Sequence, residues 1–135
     1  MSKTDAHIQI LIEQARAAYA NAYAPYSHYK VGAALLGDDG RIYTGCNVEN
    51  AVYPLTLCAE RVAIAKAVSE GVKHIKALAV VTANGGSPCG SCRQVLSEFG
   101  LDIEVILADE GEKLLQRTYV RDLLPGAFLS EDLSS

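Results

Sequence analysis

The chain has no long apolar run. Its longest apolar stretches, such as VAIA and ALAVV, fall far short of the roughly 20 residues that cross a bilayer. The N-terminal MSKTDAHIQ lacks the basic region and apolar stretch of a secretory leader, so a cytoplasmic protein with no membrane partner is expected. Positive charge is also scarce. The 12 Lys and Arg against 16 Asp and Glu leave a net charge of −4, and without a basic face there is little counterion release to drive nucleic-acid binding. There is no internal repeat, no linker and no glycine-rich phosphate loop. The three histidines, His7, His28 and His74, show no ligand spacing and are expected on the surface or behind a site. What remains is 135 residues of ordinary globular mixture, half hydrophobic and about a fifth charged. That length and composition predict one domain spanning residues 1–135 with a single core.

Periodicity sets out the elements. Ile8, Leu11, Ile12, Ala15 and Tyr19 recur at helical spacing and predict a helix from Ala6 to about Ala22. VGAALLG and RIYTGCNV predict two strands joined through DDG as a hairpin, with glycine where φ is positive. ENAVYPLT reads as a loop. CAERVAIAKAVSEG predicts a helix from about Leu57 to Glu70, apolar nearly all round and therefore largely buried, with Gly71 as its cap. KALAVVTA and IEVILAD are near-continuous apolar runs, as in strands covered on both faces. CGSCRQVLSEF lies between them as a helix, KLLQRTY is a weaker strand, and VRDLL is a short last helix stopped by Pro125. The order α, β, β, α, β, α, β, β, α predicts an α/β fold: a three-layer α/β/α sandwich around a mixed sheet of about five strands.

The chemistry concentrates in CAE at residues 58–60 and SPCGSCR at residues 87–93. In a reducing compartment, cysteines are metal ligands, redox groups or buried fillers rather than a disulfide framework. Cys58, Cys89 and Cys92 fall at the starts of two predicted helices, where free N–H groups and the helix dipole favour the thiolate that binds zinc. The spacing C-x30-C-x2-C suits three ligands of one tetrahedral ion, leaving a fourth position for water. Glu60, two residues past Cys58, is placed to serve as its base. Zinc with three thiolates carries a net negative charge. Arg61 and Arg93 are the nearby cations, and Arg61 is expected to hydrogen-bond a ligand sulfur. Two other readings stay open on these residues. PCGSC at a strand-to-helix junction fits a redox pair, although that leaves Cys58 and Glu60 unexplained. Cys46 as a fourth ligand would instead make a closed structural zinc site in a non-catalytic domain.

CAE followed by PCGSC resembles the zinc nucleoside and nucleobase deaminase signature. PYSHYKVGAAL, GCNVENAVYPLTLCAERVAIAKAVSEG, SPCGSCRQVLSEFG and LLPGAF are similar, over about Tyr23 to Leu133, to the small homotetrameric cytidine deaminases. The resemblance implies one zinc ion per subunit on Cys58, Cys89 and Cys92, with Glu60 as the catalytic proton shuttle. It implies attack by activated water at C4 of cytosine while Glu60 protonates N3 and then the departing ammonia. Cytidine and deoxycytidine would become uridine and deoxyuridine, in pyrimidine salvage. It also implies that the Ala59 backbone holds the base edge, that Asn47 and Glu49 contact the ribose, and that Tyr29 and Tyr53 contact substrate. Phe128 would close a neighbouring subunit's site in a homotetramer. Residues 47 and 49 of an extended segment face one side, which makes the ribose assignment physically sensible. Where Tyr29 stands the family often has Phe, so the hydroxyl needs a partner. Polynucleotide deaminases generally carry His in the CAE position. Deaminases of nucleoside antibiotics differ at ENA, so the intact NVENA favours a plain ribose.

Overall fold

The computed structural model describes residues 3–134. Helix α1 spans Lys3–Tyr19, strands β1 and β2 Val31–Gly37 and Ile42–Cys46, and α2 Ala59–Ser69. Strand β3 (Ile75–Thr82), α3 (Gly90–Phe99), β4 (Glu104–Asp109), β5 (Leu114–Tyr119) and α4 (Val120–Leu123) complete the order, with short 3-10 turns at Tyr53–Leu55 and Ser130–Ser134. This is the predicted order of elements, with shifted ends. Helix α1 stops at Tyr19 and the chain turns before Ala22. Helix α2 begins at Ala59 because Cys58, with extended backbone, caps it.

The strands form one sheet in the order β2-β1-β3-β4-β5. β3 and β4 are parallel, joined by the α3 crossover, while the other neighbours are antiparallel. Successive side chains of a strand face opposite ways, and the sheet uses both faces. Ala34, Leu36, Ala79, Val81 and Ile106 meet Leu11, Ile12 and Ala15 of α1. Ala33, Leu35, Leu78, Val80, Val105 and Leu107 meet Ala63, Ile64 and Ala67 of α2, Leu96 of α3 and Val120 of α4. The result is the predicted α/β/α sandwich, with α1 alone on one side.

Two details place the site. The β1–β3 register sets Val31 beside Thr82, so the entry to β1 and the exit from β3 lie together. Gly45 of β2 lets α2 come unusually close: a Cβ there would lie 2.6 Å from the Ala59 carbonyl oxygen and 2.6 Å from the Ala63 nitrogen. The expectation that α2 is largely buried needs correction. Its inner face is buried, but Ala65, Lys66, Val68 and Ser69 are exposed, because the sheet covers a helix on one side only.

Candidate metal centre and pocket

Cys58 is the N-cap of α2 and Cys89 the N-cap of α3, while Cys92 sits one turn further on and is fully buried. The loop carrying Cys89 leaves the carboxyl end of β3, where α/β sheets characteristically place ligands. Helix α2 arrives at the same edge from the loop after β2. The three Sγ atoms consequently lie within 4.8 Å of one another, with Cys89 and Cys92 only 3.4 Å apart. Thiolates on one tetrahedral zinc, at Zn–S of about 2.3 Å, stand about 3.8 Å apart. The donor set therefore fits zinc in number, chemistry and spacing. Cys46 stands apart from this group, with its Sγ directed at the Asn21 carbonyl oxygen at 3.6 Å.

The charges around the sulfurs are arranged unequally. The Cys58 thiol is pulled down to about 5, first by the hydrogen bond from Cys92 and then by Arg61. Cys92 is pushed up, because it donates that bond to Cys58 and is buried. Arg61 Nη2 lies 3.5 Å from Cys58 Sγ and 3.4 Å from the Thr56 carbonyl oxygen. Its Nε is buried without a partner among the described residues. Arg93 is committed elsewhere. It donates to the Pro88 and Leu123 carbonyl oxygens at 2.8 Å each and to Ser87 Oγ at 2.9 Å, stitching the Cys89 loop to the end of α4.

Glu60 is 4% exposed. Burial, with a smaller push from Cys58, raises its carboxyl above the ordinary range, as expected for a group that exchanges protons near neutral pH. Cys58, Ala59, Glu60 and Cys89 line a cavity of about 190 Å³, with Tyr29, Val31, Asn47, Thr56, Leu57, Val80, Thr82, Gly86 and Ser87 completing its walls.

The other singled-out residues divide. Asn47 and Glu49 are buried while Val48 between them is exposed, the alternation expected of an extended segment. Asn47 reaches the cavity wall, but its amide also brackets the chain opposite, donating to the Tyr29 carbonyl at 2.8 Å and accepting from Val31 N–H at 2.9 Å. Glu49 is outside the lining residues. Its carboxylate accepts from the Tyr26 and Ser27 amides at 3.0 and 3.1 Å and from the Ser27 hydroxyl, and these bonds, the hydroxyl's first, hold it below the usual carboxylate range. Tyr53 and Phe128 are exposed at 75% and 57% and do not line the cavity within this chain. Sequence reasoning passed over Thr82, Gly86 and Ser87 in the wall. The only local signal was their place just before PCGSC.

A mixed-sheet α/β/α sandwich with a three-cysteine centre and a buried glutamate at two helix N-termini defines a zinc-dependent class of hydrolytic enzyme. Residues 5–108 match the model of the cytidine and deoxycytidylate deaminase zinc-binding region. The cytidine deaminase of Sporosarcina psychrophila is 50% identical over 129 residues, 94% of this chain and 95% of that one. That of Halalkalibacterium halodurans is 48% identical over 130 residues, 93% and 97% of the two chains. The crystal structure of the Burkholderia pseudomallei cytidine deaminase superposes with a TM-score of 0.83 at 46% identity, covering 95% of this chain and all of that one. The chain belongs to the cytidine and deoxycytidylate deaminase family, and zinc is its metal.

Proposed function

We infer that the protein deaminates cytidine and deoxycytidine hydrolytically to uridine and deoxyuridine. The observation that carries this is the cluster of Cys58, Cys89 and Cys92 beside buried Glu60, with Cys58, Glu60 and Cys89 lining one small cavity. Bound zinc supplies Lewis-acid activation of water. Glu60 takes the proton of the attacking water, delivers it to N3 as C4 is attacked, and carries the second proton to the amino group, which leaves as ammonia. Water is consumed and no oxidant is needed. Arg61, beside Cys58, offsets the negative charge of three thiolates and orients the sulfur. The cavity, about 190 Å³, is of a size for a single base or nucleoside, and the net charge of −4 weighs against a polynucleotide substrate. Within the cavity the Ala59 backbone holds the base edge, Tyr29 covers the ring and Asn47 takes the sugar, with Glu49, outside the lining residues of this chain, as the second sugar contact. Assembly as a homotetramer would bring Tyr53 and Phe128 to a neighbour's pocket. Their exposure, with that of Val52, Leu55 and Leu57 nearby in sequence to Tyr53, supports a covered surface. Among the described residues no helix is long and apolar enough to cross a membrane, in keeping with a cytoplasmic role in pyrimidine salvage.

The test is the fall in ultraviolet absorbance of cytidine with zinc-loaded protein, run beside Glu60→Gln. Turnover by the parent and its loss in the variant, with zinc retained by both, supports the reading. No turnover by a zinc-loaded parent rejects it.

A further inference from the structure

Tyr29, which lines the pocket, makes a hydrogen bond that the chemistry above does not use. Tyr29 lies two residues before β1 and Asn84 two residues after β3, and the Val31–Thr82 pairing sets them opposite each other. Tyr29 Oη donates to Asn84 Oδ1 at 2.8 Å. Asn84 Oδ1 also accepts from Thr82 Oγ1 at 3.3 Å, and Thr82 Oγ1 accepts from Gly86 N–H at 2.7 Å. The phenol is thereby tied to the loop that delivers Cys89. Its backbone is already held: the Tyr29 carbonyl accepts from Asn47, and its N–H donates to Ser27 Oγ at 3.0 Å. The side chain, 39% exposed, has Asn84 as its polar anchor. Gly86 leaves room for the arrangement, since a Cβ there would sit 2.6 Å from Tyr29 Oη.

We propose that Asn84 is a positioning residue: through its bond to the Tyr29 hydroxyl it holds the Tyr29 ring as a wall of the pocket and thereby sets affinity for the substrate. A ring fixed beforehand loses no rotamer freedom when the substrate binds, so preorganisation appears as tighter binding. The clasp exists before the substrate arrives and makes no contact with the cysteines or Glu60 in this network. Its loss therefore falls on KM and spares kcat. The kinetic part rests on the deaminase reading.

The experiment compares Tyr29→Phe, Asn84→Ala, the double variant and Asn84→Asp, which keeps the acceptor oxygen. Cytidine kinetics are measured, together with amide exchange at Gly86 by NMR in the zinc-loaded protein without substrate. Each single loss raises KM roughly three- to tenfold, the factor that one exposed neutral hydrogen bond supports. It leaves kcat within about twofold. The double variant is no worse than the poorer single one, and Asn84→Asp restores KM. Exchange at Gly86 quickens in both single variants: Asn84→Ala removes the acceptor that orders Thr82, and Tyr29→Phe removes the bond that holds that acceptor in place. An unchanged KM in Tyr29→Phe, additive losses in the double variant, or a fall in kcat at constant KM overturns the clasp. If the parent itself does not deaminate cytidine, the deaminase reading fails separately. Gly86 exchange then decides the clasp, and equal rates in parent and Tyr29→Phe reject it.

Discussion

Replacing Gly45 with alanine probes how closely α2 must approach the sheet for Cys58 and Glu60 to meet the Cys89 turn. The added Cβ would stand 2.6 Å from both the Ala59 carbonyl oxygen and the Ala63 nitrogen, against an ordinary contact of at least 3.4 Å. Both obstacles are backbone atoms of one helix, so no side chain can swing away. The start of α2 must retreat by about 0.8 Å, the difference between those distances, or the core must absorb the strain. Overpacking of this kind costs about 1–3 kcal/mol, and at this chain length each kcal/mol lowers Tm by roughly 4 °C. Glu60 and Cys58 ride on the displaced turn, and misplacement near 1 Å costs about 100-fold in turnover. Thermal unfolding, zinc content and cytidine turnover of Gly45→Ala are the measurements. Gly40→Ala is the control, since Gly40 sits at φ +80 in the hairpin turn with open space around its would-be Cβ. It should lose about 1 kcal/mol through backbone strain without specific loss of turnover. A Gly45→Ala protein with parental Tm and turnover would refute the close-approach argument.

Glu60→Gln should keep zinc and fold while turnover falls roughly 10²–10⁴-fold, checked by metal analysis beside the absorbance assay. Arg61→Ala removes the donor 3.5 Å from Cys58 Sγ; zinc affinity in chelator competition should drop about 10- to 100-fold. Cys46→Ser should retain one zinc per chain, because Cys46 faces the Asn21 carbonyl and not the other sulfurs; loss of the metal would restore the four-cysteine alternative. Glu49 carries a pH dependence of defined sign. Its native pKa is lowered, so its contribution to stability is complete above the ordinary carboxylate range and is lost as pH falls through the lowered native value. Acid unfolding of Glu49→Gln should accordingly show a weaker pH dependence than the parent in that range.

The sandwich was legible because its signals are local. The apolar run VGAALLG announced β1, and the unbroken apolar runs of β3 and β4 announced strands covered on both sides; that Ala33 and Leu35 face one layer and Ala34 and Leu36 the other came from the structure. Ends were less legible. Helix α1 stops at Tyr19, although alanines follow, because the chain must turn there to pair Tyr23 with Val48. The outer face of α2 looked like core in the sequence because apolar residues such as Ala65 and Val68 occur on covered and open faces alike.

What the sequence by itself determined is the chemistry and its local placement. Cysteines at two helix starts and a glutamate two residues past one of them are consequences of neighbours along the chain, where a cap or a single turn fixes direction. The strand order, and with it the meeting of the β1 entry with the β3 exit, came only with the tertiary structure. So did the division of labour between two arginines that look alike in sequence, Arg61 against a sulfur and Arg93 bracing the Cys89 loop. The Tyr29 hydroxyl found its partner 55 residues away in Asn84. Such pairings depend on register and on how closely layers approach, and these are set by the packing of the whole core, which no short window of residues contains.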